Sequence, residues 1–340
     1  MTAAAVLCGL GTALPPRVVT NDDLAQQYDT SDQWIRARTG IQERRWVGEG
    51  VATSDLAVEA GQAALKSAQT DSVDLVVLCT TTPDHPCPAT APDVATRLGL
   101  SGVPAFDLAA VCSGFVYGLS VAAAHIISGA ARQVLVIGAE TYSRILSPED
   151  RTTAVIFGDG AGAVVLRAGE PDEPGALLGF HLGSDGAGKD DILLPAGGAR
   201  QRTATEPDRW QGRYFTMNGG AVYPAAVERM TASTQALLQD LAWSVESVNW
   251  FVGHQANRRI LNAVADRLQL DREKVVIDLD RVGNTSAASI PLALARFAHD
   301  AAFTAGDRVV LTAFGGGFTW GASALRWPTL EPVSVTCRTT

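Results

Sequence analysis

Strands and helices alternate along this chain in one order, and then again in the same order. No single motif limits the fold as much as that repeat. The first pass begins with an apolar strand in Ala4–Leu14, a helix at Ser54–Gln69 with Ser54 as its N-cap, and a buried strand at Leu75–Cys79. A helix at Ala89–Leu98, a strand at Ala105–Leu108, a helix at Ser113–Ser128 and a strand at Val134–Gly138 follow. Ala154–Phe157 and Ala161–Leu166 then flank a glycine turn. The second pass has helices at Ala221–Leu241, Ala256–Leu268 and Ser286–His299, and strands at Trp250–Val252, Val275–Ile277 and Val309–Thr312. A second glycine turn leads into Phe318–Leu325. An offset of roughly 160–175 residues is too long for a solenoid and points to a duplicated α/β domain. Ser113–Ser128 is apolar all round and is expected to be buried. The boundary between the halves is expected in Glu170–Gly175, which carries Pro171 and Pro174. The polar, glycine-rich stretch Gly183–Arg213 reads as a surface excursion and Pro328–Thr340 as a loose tail.

The length of 340 residues suits two domain-sized units of roughly 150 residues each. With 36 acidic against 27 basic residues the net charge is −9, which argues against nucleic acid as a partner. No apolar run reaches the roughly 18 residues of a membrane helix, and the N-terminus lacks a basic leader. A cytoplasmic protein without membrane association is expected. The five cysteines are scattered and form no CxxC pair, so no metal site is expected.

Chemistry is concentrated where strands end. In Ala109–Phe115 a strand stops, the chain turns, and Cys112 opens a helix. Unpaired N–H groups and partial positive charge at a helix start lower a thiol pKa, so Cys112 is a candidate nucleophile; the alternative is a buried structural cysteine. Cys8, Cys79 and Cys337 read as structural. His254 follows the strand Trp250–Val252 directly, a position that suits an active residue in α/β proteins, or a turn histidine. Asn284 precedes a small-residue helix and reads equally as a cap. Phe314–Phe318, with glycines at 315, 316 and 317, fits a plain hairpin or a turn presenting N–H groups to an oxyanion. Gly158–Ala163 and Gly9–Gly11 look nucleotide-like, but neither has the GxGxxG spacing that leads into a helix.

Taken in order, these segments resemble the thiolase superfamily, most closely 3-oxoacyl-[acyl-carrier-protein] synthase III. The markers are Thr30–Ile35 with Arg38–Ile41, the Cys112 segment, Phe157–Ala163, His254–Asn257, Gly283–Ser286 and Phe314–Gly321. They cover the chain up to about Trp327. The resemblance implies two duplicated halves forming a five-layered α-β-α-β-α core. Residues 1–172 would be the half bearing the nucleophile, 173–328 the half bearing His and Asn, and 329–340 a tail. It implies a homodimer and a Cys112–His254–Asn284 triad. The backbone of Gly316, with that of Cys112, would hold an oxyanion.

The implied reaction is a decarboxylative condensation. An acyl group passes from acyl-CoA to Cys112 and is then joined to malonyl-acyl carrier protein, in fatty-acid or polyketide starter synthesis. CoA enters as a substrate, and no cofactor is implied. By the same resemblance Trp34 stacks on adenine, Arg151 and Arg259 meet the ring or phosphates, and Thr30, Arg38, Gly219 and Asn257 complete the CoA set. Phe157, Tyr142 and Tyr223 line the acyl pocket. Cys87 stands where relatives using acetyl starters often carry Phe, which predicts a roomier pocket. Arg258, Arg259 and Arg267 would form the patch that docks acidic carrier protein, weakened by Asp266. A rival reading keeps the scaffold but transfers the acyl group to a hydroxyl, an amine or carrier protein without condensation. Asn284 argues against it, because that chemistry needs a base where condensation needs a neutral donor.

Overall fold

The computed structural model describes residues 4–202 and 212–337. Two mixed sheets form its centre. The first takes β1 (Ala4–Leu14), β2 (Leu75–Cys79), β3 (Ala105–Leu108), β4 (Gln133–Thr141) and β5 (Asp159–Gly169). The second takes β6 (Leu177–Ser184), β7 (Trp250–Gly253), β8 (Arg308–Gly315) and β9 (Thr319–Arg326). A last strand, β10 (Val333–Thr336), returns to the first sheet, whose order is β10-β1-β5-β4-β2-β3; the second runs β7-β8-β9-β6.

The duplication is visible in strand direction. β2 and β4 are parallel, with β5 and β1 following antiparallel. β7 and β8 are likewise parallel, with β9 and β6 following antiparallel. The counterpart of β3 would be the strand expected at Val275–Ile277, but only one parallel bridge forms there, between Phe251 and Val275. The Gln255 side chain replaces the missing ladder. Its amide donates to the carbonyls of Gly253 and Val276, and its oxygen accepts from the N–H groups of Asp278 and Leu279.

Six helices matter for the site: α1 (Asp32–Thr39), α2 (Thr53–Ser67), α3 (Gly114–Ile127), α4 (Gly219–Asp240), α5 (Arg258–Leu268) and α6 (Ser289–His299). α2 covers the outer face of the first sheet, α3 and α6 lie between the sheets, and α4 and α5 cover the outer face of the second. This is the expected α-β-α-β-α order. The central layer is tight because α3 is rich in small residues. A Cβ on Gly118 would lie 2.5 Å from the Cys79 sulfur. Each large aliphatic side chain buried between the sheets contributes about 1.5–3 kcal/mol relative to exposure.

Four expectations are corrected. Ser54 does not cap α2: the cap position is Ala52, whose N–H is taken by Asp55 (2.8 Å), while the N–H of Ser54 goes to Asp84 (3.0 Å). The glycines after Phe157 make no turn between strands. Arg151–Ala154 is a short helix, and β5 begins at Asp159. These glycines serve close crossing: a Cβ on Gly158 would lie 2.1 Å from the Val282 carbonyl oxygen, and one on Gly162 would lie 2.7 Å from Pro291. The final segment is not a loose tail, since Val333–Thr336 pairs in parallel with Gly11–Leu14. Finally, Gly183–Arg213 is more than a surface excursion. Ile192–Leu193 pairs with Thr216–Met217 and carries Ile192 inward; residues 203–211 of that stretch lie outside the described residues.

Candidate active site

The duplicated fold sets the start of α3 against the start of α6, and Cys112, His254 and Asn284 gather at that junction. After β3 the chain reaches α3 through a single 3-10 turn, Val111–Ser113. The turn holds β-branched Val111 at φ +48°, a conformation that costs on the order of 1–3 kcal/mol. Gly315, ending β8, lets the neighbouring hairpin close on this turn: a Cβ there would lie 2.8 Å from the Cys112 nitrogen. Gly316 follows in the same hairpin. The Ser113 hydroxyl joins the two turns by donating to Thr319 Oγ1 (2.8 Å). Cys112 is buried and lines one cavity with His254 and Asn284.

His254 leaves the end of β7, and its N–H donates to the Thr312 carbonyl (2.8 Å). Its Nδ1 lies 2.7 Å from Ser289 Oγ, at the first residue of α6. Ser289 Oγ accepts from the N–H of Gln255 (3.3 Å), and among the described residues Nδ1 is the acceptor open to its own proton. This arrangement protonates the ring at Nε2, which leaves that nitrogen a donor toward the cavity. Burial pushes the imidazole pKa down to about 3, so the ring stays neutral. Asn284 is oriented in the same way. Its Oδ1 accepts from the N–H of Ser286 (2.9 Å), leaving the amide NH2 to donate. The loop is fixed against Phe157 by Asn284 N–H to the Ile156 carbonyl (2.9 Å) and Gly158 N–H to the Asn284 carbonyl (3.0 Å).

The expected lowering of the Cys112 pKa does not hold. Burial pushes the thiol up to about 12; the Ser286 side chain opposes the rise and the nearby Glu140 adds to it. Desolvation outweighs the field of a helix start here, and the sulfur belongs to the 3-10 turn before α3 rather than to the helix itself.

The cavity walls are apolar: Phe157, Ile192, Phe215, Met217, Met230 and Phe314 among them. Of the four expected acyl-pocket residues only Phe157 lines this cavity. Tyr142 is fully buried behind it, with ring centroids 4.4 Å apart. Tyr223 packs under the Arg259 guanidinium, 5.5 Å from its centroid. Cys87 is exposed on a loop away from its own chain's cavity.

The expected CoA residues cluster on and around α1. Trp34 is 37% exposed, with the guanidinium groups of Arg151 and Arg38 at 5.2 and 5.8 Å from its ring. Arg151 also donates to the Asp29 carbonyl, beside Thr30, whose buried hydroxyl has no partner. Asn257 caps α5 by accepting the Arg259 N–H (2.8 Å) and ties it to α1 by donating to the Arg38 carbonyl (3.2 Å). Gly219 opens α4 with free space around it. Arg258, Arg259 and Arg267 are exposed on α5. Asp266 is engaged by Arg272 (2.7 Å), so it competes less with the patch than its position suggests. Among the described residues no group of three His, Cys, Asp or Glu is placed to hold a metal ion.

Sequence reasoning missed Ser289, Ser286 and Glu140. Glu140 carried a signal: a lone acid closing an otherwise apolar strand. The serines carried none, since a serine near a helix start reads as a cap.

The fold and this junction define a thiolase-like acyl-transfer enzyme. Residues 106–186 match the family described as 3-oxoacyl-[acyl-carrier-protein (ACP)] synthase III, and residues 238–327 match the C-terminal part of that family. The chain is 66% identical to beta-ketoacyl-[acyl-carrier-protein] synthase III 5 of Streptomyces coelicolor over 96% of its own length and 98% of the relative's. The crystal structure of 3-oxoacyl-(acyl carrier protein) synthase III, FabH, from Pseudomonas aeruginosa superposes with a TM-score of 0.92 at 50% identity, over 97% of this chain and 100% of that one. The priming beta-ketosynthase of the R1128 polyketide pathway superposes at 0.88 with 32% identity, over 97% of each chain. The chain belongs to the beta-ketoacyl-[acyl-carrier-protein] synthase III family and is an acyltransferase of that type.

Proposed function

We propose that Cys112 takes an acyl group from acyl-CoA and that the acyl-enzyme condenses with malonyl-acyl carrier protein. Carbon dioxide leaves and a 3-oxoacyl thioester forms, as a starter for fatty-acid or polyketide synthesis. The observation that carries this reading is the orientation of two neutral donors, His254 Nε2–H and the Asn284 amide, into the cavity that holds Cys112.

In the first half-reaction the Cys112 sulfur attacks the thioester carbonyl, and the N–H groups of Cys112 and Gly316 face the oxyanion. In the second, malonyl loses CO2 and negative charge gathers on the thioester oxygen. Two donors without charge of their own stabilise that enolate, each worth about 2.7–4 kcal/mol in the transition state. Acyl transfer to a hydroxyl or amine needs a base instead. A histidine held as the Nε2–H tautomer, with its pKa near 3, is not one.

Acyl-CoA is held at the mouth by Trp34 with Arg38 and Arg151, and carrier protein docks on Arg258, Arg259 and Arg267. The enzyme acts in the cytoplasm as a homodimer. β3 supports the dimer: it pairs on one side only, with β2, and exposes Phe106. The Cys87 loop borders the same edge, since His85 and Pro86 share a cavity with Asp107 and Ala109. That closeness supports a reading in which Cys87 reaches across the dimer to the partner's acyl pocket.

The test is stepwise. Incubation with a panel of acyl-CoAs should add the acyl mass at Cys112, and malonyl-acyl carrier protein should then release CO2. Acylation without CO2 release would identify a plain acyltransferase.

A further inference from the structure

If His254 is a donor, the proton of the Cys112 thiol needs another destination. We propose that Glu140 takes this proton through the hydroxyl of Ser286 during acyl loading and returns it after condensation. The proposal rests on the reading of Cys112 as the acyl carrier.

Glu140, the penultimate residue of β4, is fully buried. Its Oε1 accepts from Ser286 Oγ at 2.9 Å, and both oxygens accept from the Thr81 N–H. Thr82 Oγ1 donates to Oε2 at 3.0 Å. All of these donors are neutral, and among the described residues no cation forms an ion pair with it. Burying a carboxylate without a cation is costly, and a purely structural position would be better filled by a neutral side chain. The titratable groups that face it are Cys79 on β2, Cys112 on the nucleophile turn and Tyr142 on its own segment, all of them acids. Negative charge in this pocket therefore sits on one group at a time.

Ser286 is the bridge. It is fully buried and held at φ +47°, a strained conformation for a serine. Its hydroxyl donates to Glu140, and the turn it opens packs against the turn that carries Cys112, where the Ser286 side chain favours the thiolate. Burial pushes the Glu140 carboxyl up to about 7, so it can take and return a proton near neutral pH. Burial raises the Cys112 thiol well above the Glu140 carboxyl, so a free thiolate beside protonated Glu140 would be scarce. The proton accordingly moves as the new bond forms.

The steps balance. Cys112 S–H gives its proton to Ser286 Oγ while Ser286 passes its own to Glu140. The sulfur electron pair forms the C–S bond to the acyl carbon, and the C–S bond to CoA breaks with its pair on the CoA sulfur, which water protonates. After condensation the Cys112 sulfur leaves with its pair and regains the proton from Glu140 through Ser286. Glu140 touches no substrate atom, so its signature is a pH profile.

The test is single-turnover acylation of Cys112 by acyl-CoA, followed by mass from pH 5.5 to 9, with alkylation of the thiol by iodoacetamide in parallel. The unaltered enzyme should load with an inflection near pH 7. Glu140→Gln should lose the inflection and load roughly 100-fold more slowly at pH 7. Ser286→Gly tolerates φ +47° and should do the same, which keeps the test decisive if Glu140→Gln fails to fold. Normal rate and profile in both variants would overturn the relay alone. Transfer of the pH 7 inflection to His254, seen as its loss in His254→Ala with the Glu140 and Ser286 variants unaffected, would also overturn it. Absence of loading in the unaltered protein would overturn the proposed function, and the relay with it.

Discussion

At the scale of single residues, the chemistry depends on which proton each side chain carries, and second partners set that. Ser289 fixes the His254 tautomer, and the N–H of Ser286 fixes which end of the Asn284 amide faces the cavity. Asn284→Ala should therefore cut CO2 release roughly 10²–10³-fold while leaving Cys112 acylation within a few-fold, measured as the two half-reactions separately. Ser289→Ala frees the ring to adopt either tautomer; CO2 release should fall about tenfold, again with loading intact. A depressed histidine pKa binds its proton only below about 3 in the folded state, against about 6.5 unfolded. The stability His254 contributes by staying neutral is thus present above pH 6.5 and lost as pH falls through that window toward 3. An NMR titration should show no protonation of this ring between pH 5 and 8.

At the scale of elements, close approach is what places these residues. Gly315 abuts the nucleophile turn, and its Cβ would strike backbone rather than a flexible side chain. Gly315→Ala should lower stability by about 1–3 kcal/mol and slow acyl loading, read by thermal unfolding and by mass. On α1, Trp34 stands exposed with two guanidinium groups within about 6 Å of its ring. Trp34→Ala should raise the KM for acyl-CoA several-fold with little change in kcat, because only binding at the mouth is lost. Most elements were legible from apolar runs and periodicity, including Ala4–Leu14, Leu75–Cys79 and Ala105–Leu108 to the residue. Val275–Ile277 misled because an apolar run marks burial, not pairing, and here a glutamine side chain occupies the hydrogen-bonding edge. The closing segment misled in the opposite direction. Val333–Thr336 is short and follows prolines, yet an open edge of β1 was waiting for it.

At the scale of the molecule, the repeat explains why the site lies where it does. Equivalent helices α3 and α6 start at equivalent points of the two halves and meet in the central layer, one presenting Cys112 and the other following Asn284. The open edge of β3 and the Cys87 loop make a joint prediction. Cys87→Phe should shift acyl preference toward acetyl-CoA in the proposed dimer. Phe106→Lys, which places a charge on that edge, should weaken the dimer in sedimentation and abolish the shift.

The amino-acid sequence alone pointed to a duplicated α/β fold, because periodicity is a local property that survives without coordinates; the set Cys112, His254 and Asn284 came from the resemblance of the ordered motifs to a known family. It also determined the order of the halves, since a duplicated pattern of elements permits few packings. It could not determine protonation or reach. The direction of a pKa depends on burial summed over both halves, which is why the Cys112 thiol rises where a helix start alone would lower it. The His254 tautomer and the approach of Ser286 to Glu140 join residues on separate elements, 35 and 146 positions apart. Only the tertiary structure brings those partners within hydrogen-bonding distance, and hydrogen bonds act over about 3 Å, not along the chain.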